Sequence, residues 1–183
     1  MAQTATPRYS TPMMTLHWTT VILVVAAYSL MEFKGIFPKG SMERALMKTI
    51  HFSVGGTILA VTLLRLVLHF TGRTPAITPQ PPRWQERTAH LMHWTLYAML
   101  IVLPITGWMT LNGAGDSVHV WGLPLPDLMG PNKDLSKTLK DLHETIAAAG
   151  YWLVGLHAVA ALYHHHIVKD DTLRRMLPRR SRA

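Results

Sequence analysis

Residues 142–171 read LHETIAAAGYWLVGLHAVAALYHHHIVKDD. This apolar run keeps one histidine near its start, His143, and a second in its middle, His157, fourteen residues further on. On an α-helix turning about 100° per residue, the second side chain returns to within about 40° of the first. With a rise of about 1.5 Å per residue, the two imidazoles stand about 21 Å apart along one stripe. One face of the segment therefore offers two ligands at two depths.

The rest of the chain explains what surrounds that face. Of 183 residues, 49 % are hydrophobic and only 15 % charged, against about 25 % charged in soluble domains. The apolar residues fall into four blocks, Thr15–Met31, Phe52–Leu64, Leu91–Leu111 and Ile146–Leu162. A bilayer core of about 30 Å needs about 20 helical residues, and flanking polar or basic side chains reach the interface by snorkelling. The pattern predicts an all-α integral membrane protein: one domain over residues 1–183, folded as a four-transmembrane-helix up-down bundle. The helices are expected at about 11–31, 49–70, 88–111 and 137–168, with a basic cytoplasmic tail at 169–183. Before the first apolar run there is just Arg8, so that run is expected to be a retained helix rather than a cleaved signal. Thr11-Pro12 supplies a helix start. The stretch TGRTPAITPQPPRW (71–84) is too rich in proline to be helical. Pro104 is expected to kink the third helix, and the connection 112–136, with Trp121, to form an ordered interfacial cap.

The chain has no cysteine. That excludes disulfides, cysteine-ligated iron–sulfur clusters and covalent c-type haem. The abundant metal ligand left is histidine, at eleven copies. Lys and Arg are unevenly shared between the two ends of the bundle. The end with both termini holds eleven cations, among them Arg73, Arg83, Arg87 and Lys169, against the acids Glu86, Asp170 and Asp171. The other end holds seven cations and seven acids. The asymmetry places both termini in the cytoplasm. The basic residues crowd the membrane boundaries, so anionic lipid rather than nucleic acid is the expected partner.

Up-down connectivity sorts the histidines by depth. His51 and His143 fall near the outer side, and His17 and His157 near the inner side. Each pair draws its members from different helices, as the two axial ligands of one porphyrin must. Small residues lie one turn along the same faces: Gly55 after His51, Ala147 after His143 and Ala161 after His157. A lone membrane histidine can simply hydrogen-bond across helices, but two depth-matched pairs with small neighbours point to two bis-histidine b-type haems (iron protoporphyrin IX). Zinc competes poorly, since two isolated two-ligand sites fall short of its usual three or four protein ligands. His90 and His93 stand at the inner end of the third helix, where they read first as interfacial hydrogen-bonding groups and second as alternatives to His17 or His157. His164 lies seven residues beyond His157, in a hydrogen-bonding position for a quinone. Arg65 reads either as a snorkelling anchor or as a haem propionate contact. His165 and His166 read as solvated, and His69 and His119 carry no readable signal.

The stretches TLHW, AAYSLMEFKGIFP, IHFSVGG, LHETIAAAGYWLVGLHAVAALYHHH and KDDTLRRMLP resemble the bacterial di-haem cytochrome b-561 family. The resemblance runs from Tyr9 to Pro178. It implies haem ligation by His17, His51, His143 and His157 in a multi-pass protein of the bacterial inner membrane. It also implies an oxidoreductase activity in which electrons pass from periplasmic superoxide through two haems to ubiquinone. Superoxide is an anion, so Lys34, Lys39, Arg44 and Lys48 are candidates to steer it; the alternative is that they are ordinary solvated charges. Two other functions stand beside this one. One is a cytochrome b subunit carrying electrons to quinone from a docked periplasmic donor of hydrogenase or dehydrogenase type. The other is a membrane scaffold or metal carrier without redox chemistry.

Overall fold

Four apolar segments become four helices, each long and apolar enough to cross a bilayer. In the computed structural model, which describes residues 8–178, they are α1 (Thr11–Phe33), α2 (Met42–Thr71), α3 (Arg83–Ala114) and α4 (Lys133–Tyr163). Even α1, the shortest at 23 residues, spans about 34 Å. The helices α2, α3 and α4 begin several residues before their apolar blocks, and at α2 and α4 a side-chain cap sets the start. Ser41 Oγ accepts the Arg44 N–H at 3.2 Å, and Asn132 Oδ1 accepts the Leu135 N–H at 3.0 Å, each satisfying an otherwise orphaned donor. The additional turns, such as MERALMK and KDLSK, are polar enough to stand outside hydrocarbon.

Packing is uneven. α1 lies against α2, α3 against α4, and α2 against α3, whereas the α4 backbone stands off from α1 and α2. The buried core is a small mid-bundle cluster of Val54, Ile58, Met99 and Leu100, flanked by Leu23, Val24, Leu153 and Val154. Ile22, Val25, Leu64, Val67, Leu156 and Val159 face outward, as lipid contact requires. Where α1 does meet α4, Gly150 makes the approach feasible. A Cβ there would collide with Tyr28 Oη and stand 2.9 Å from Met99 Sδ. Tyr28 Oη instead donates to the Ala147 carbonyl at 2.8 Å.

The connection between α3 and α4 holds a two-stranded antiparallel hairpin, β1 (His119–Val120) and β2 (Leu123–Pro124). Its turn residues Trp121 and Gly122 have φ of 52° and 83°, as a two-residue primed turn needs. The hairpin is fastened to α2: the Trp121 N–H donates to Ser53 Oγ at 3.1 Å and its indole N–H to Thr57 Oγ1 at 2.9 Å. Gly56 leaves the space that Val120 occupies.

At the other end α4 passes into a π-helical turn, His164–Val168, and Lys169 (φ 60°) reverses the chain. The segment that follows is bound to the bundle rather than solvated. Arg8 donates to the Leu177 carbonyl at 2.7 Å and Trp18 Nε1 to that of Met176 at 2.8 Å. Asp171 Oδ1 accepts the Thr78 N–H at 3.0 Å, and the Arg175 guanidinium donates to the Pro75 carbonyl. Residues 169–178 of the expected tail are thus a folded clasp; its remainder, 179–183, lies outside the described residues.

Candidate functional site

The four histidines come together in two cross-helix pairs. His51 of α2 faces His143 of α4 with ring centres 6.2 Å apart and planes at 75°. His17 of α1 faces His157 of α4 at 6.4 Å and 69°. A metal bonded at about 2 Å to a nitrogen of each ring, with about 1.1 Å from each nitrogen to its ring centre, sets the centres about 6.2 Å apart. Both separations match one metal held between two imidazoles. Both pairs also bridge helices whose backbones stay apart, leaving space for a flat group.

Hydrogen bonds set the tautomers at the outer level. His51 Nδ1 lies 3.1 Å from the Ala27 carbonyl, and His143 Nδ1 lies 2.9 Å from that of Leu103. A carbonyl only accepts, so Nδ1 carries the proton in both rings and Nε2 keeps its lone pair for a metal. Thr106 Oγ1 stands 3.3 Å from His143 Nδ1, and Gly107 leaves room for the ring, whose Cε1 would lie 3.4 Å from a Cβ at that position. A Cβ built on Gly55, one turn below His51, meets nothing within 4 Å.

The inner level is arranged differently. Arg65 Nη2 donates to His17 Nδ1 at 3.2 Å, and Nη1 reaches Thr20 Oγ1 at 3.4 Å. The guanidinium also lies 5.4 Å from the centre of the Tyr97 ring. Its Nε is buried without a partner, and no acid pairs with Arg65 among the described residues. An unpaired buried cation is costly, so the site fits a group that brings its own anionic arm. With its guanidinium paired to such an arm, Arg65 would leave His17 Nδ1 free to carry the ring proton, and His17 would hold the metal through Nε2.

His93 of α3 also reaches the inner level, its ring 5.6 Å from that of His157. That spacing is too short for one metal between the two, so His17 is the better opposite ligand. His90 makes no ring contact there. Among the described residues no cluster of three or more His, Cys, Asp or Glu is placed to hold a metal ion, which leaves zinc without its usual donors. The donor sets fit iron protoporphyrin: two imidazoles per metal, clearance beside the rings, and an orphaned cation for a propionate. If so, Arg65→Gln lowers the reduction potential at the inner level, because a positive charge that favours the reduced state is gone. The expected shift, on the order of 50 mV or more, is checked by redox titration in visible light.

The remaining candidates are scattered. Lys39 and Lys48 are exposed, whereas Lys34 and Arg44 are half-buried; Arg44 Nη1 donates to the Phe37 carbonyl at 3.2 Å and so holds the turn after α1. His164 points to Asp170, with Nδ1 2.5 Å from Oδ2. His69 stacks edge-on against Trp94, and His119 is exposed in β1. The sequence reading missed the carbonyls of Ala27 and Leu103, Thr106 and Asp170.

Comparison with known proteins adds to this geometry. The profile of the prokaryotic cytochrome b561 family matches residues 8–179. Cytochrome b561 homolog 1 of Escherichia coli K12 is 39 % identical over 173 residues, covering 94 % of this chain and 98 % of the relative. A protein of Yersinia pestis named probable superoxide oxidase CybB is also 39 % identical over 173 residues, 94 % and 97 % of the two chains. Cytochrome b561 homolog 2 of Escherichia coli K12 is 26 % identical over 190 residues. Four membrane-length helices, paired histidines across them and a family match over nearly the full length agree: the chain belongs to the prokaryotic cytochrome b561 family.

Proposed function

We propose that this membrane haem protein is a superoxide:quinone oxidoreductase of the bacterial inner membrane, with both termini cytoplasmic. It takes electrons from superoxide on the periplasmic side and delivers them to ubiquinone near the opposite face. The overall reaction, two superoxide ions plus quinone plus two protons giving two dioxygen molecules plus quinol, balances in charge and atoms. The observation that carries the reading is the pair of cross-helix histidine clamps at two depths, His51/His143 outside and His17/His157 inside. The name of the Yersinia relative supports the choice of superoxide as donor.

A b-type haem with both axial positions filled by imidazole supplies one-electron transfer. The residues do the rest. Ala27 and Leu103 carbonyls hold the outer imidazoles in the ligating tautomer, and the hairpin covers the face of α2 away from His51. Lys34, Lys39 and Lys48 add positive charge around the outer end, where it raises the encounter rate of a small anion. Neutralising all three as Gln is expected to slow the second-order reaction with superoxide about three- to tenfold at low ionic strength. Stopped-flow measurement across a salt series checks this; an unchanged rate and salt slope removes the steering role.

The reading itself is tested by mixing purified, oxidised, haem-loaded protein with superoxide and excess ubiquinone. Dioxygen and quinol should form over many turnovers in a 2:1 ratio. Reduction of the protein without quinol formation would sink it.

A further inference from the structure

The clasp after α4 contains a histidine–carboxylate pair, half-buried at His164 and buried at Asp170. His164 Nδ1 and Asp170 Oδ2 are 2.5 Å apart, with side-chain exposures of 20 % and 2 %. The two meet because α4 widens into a π-turn over His164–Val168 and Lys169 adopts a positive φ. Six residues of regular α-helix would instead leave the two side chains about 120° apart. The π-turn ends α4, as such turns do at helix C-termini, and here it is what brings the two side chains together. Asp170 is further fixed by the Thr172 N–H, which donates to Oδ1 at 2.9 Å, and by its own N–H on the His164 carbonyl at 3.2 Å. Asp171 and Arg175 already tie the segment to Thr78 and Pro75, so the contact to His164 is additional to the fastening.

Around the pair, buried polar atoms lack protein partners: His165 Nδ1, Asp171 Oδ2, Thr172 Oγ1 and Arg175 Nε. Buried groups of this kind are ordinarily satisfied by water. The charged and titratable groups on the same and neighbouring elements are Tyr163, His165, His166, Lys169, Asp171, Arg174 and Arg175, with Arg8 and Tyr9 packed on the clasp. Burial by itself would push the Asp170 carboxyl up; the hydrogen bonds from His164 and Thr172 outweigh it and hold the group below the usual carboxylate range. It is therefore an anion at neutral pH.

We propose that Asp170 is a positioning residue for proton delivery by His164 to a quinone at the inner end. This rests on the quinone-reducing function above. In the step assigned, His164 carries protons on both nitrogens and gives the Nε2 proton to an oxygen of the reduced quinone. The Nε2–H bond breaks, an O–H bond forms, and Nδ1–H remains on Asp170. The two electrons come from two superoxide ions, and water restores the Nε2 proton before the second transfer.

The test uses haem-loaded protein, superoxide and ubiquinone-1, and reads two rates by visible absorbance: reduction by superoxide without quinone, and reoxidation by ubiquinone-1 across a pH series. For Asp170→Asn, the first rate should stay at the wild-type value. Reoxidation should slow about 10- to 100-fold, with its alkaline limb moved to lower pH, and Asp170→Glu should restore part of both. Wild-type rate and pH profile in Asp170→Asn would overturn the proposal, as would an equal loss of both rates. Should Asp170→Asn fail to assemble, His164→Gln and the wild type decide. His164→Gln should remove the alkaline limb, and wild-type reoxidation should slow in deuterium oxide; a limb unaltered in His164→Gln or no solvent isotope effect overturns the role. A wild type that ubiquinone-1 cannot reoxidise would overturn the quinone-reducing function, and this step with it.

Discussion

Replacing His143 by Ala is expected to lower the haem content of the purified protein from two per chain to one. The outer clamp then keeps only His51, and the Leu103 carbonyl and Thr106 hydroxyl lose the imidazole they orient. A single remaining imidazole gives up half of the coordination that holds the group in place. Superoxide-driven quinol formation should fall roughly 100-fold or more, beyond the loss typical when only a supporting contact is removed. His51→Ala should behave in the same way, since its ring faces that of His143 at a centre separation of 6.2 Å. Pyridine haemochrome analysis of the purified variants is the direct measurement. Two haems retained in both variants would refute the outer clamp.

The inner clamp predicts a different phenotype. His157→Ala should also leave one haem, which on the proposed function would be the one at the outer level that superoxide reduces. Reduction of the protein in stopped flow should therefore persist at near the wild-type rate, while quinol formation drops roughly 100-fold or more. The two variants thus separate arrival of the electron from its delivery. His17→Ala should match His157→Ala, and His93→Ala should keep both haems. The second expectation follows from spacing: His93 sits 5.6 Å from His157, and His17 sits at 6.4 Å. Loss of the inner haem in His93→Ala, with retention in His17→Ala, would reverse that choice.

Much of the fold could be read along the chain because lipid imposes a strong rule. Every backbone polar group in hydrocarbon must be satisfied within its own helix, so an apolar block of membrane length leaves little choice of structure. Depth followed from the same rule, since alternating helix directions convert a residue number into a level. The starts of α2 and α4 were harder, because a polar cap residue such as Ser41 or Asn132 extends a helix past its apolar block without a hydropathy signal. The hairpin at 119–124 was also hidden. Its stability depends on Ser53, Gly56 and Thr57 of α2, distant in sequence.

The sequence by itself therefore determined the four spans and the two levels of histidine, because helical periodicity and the thickness of a bilayer leave few alternatives. The tautomers, and the choice of His17 over His93 opposite His157, were decided only in three dimensions. The Ala27 and Leu103 carbonyls, the Arg65 guanidinium beside His17 and the Asp170 carboxylate beside His164 come from other helices or from a distorted turn. Contacts made across helices, or after the chain has left regular geometry, follow no periodicity along the chain, and only packing brings them together.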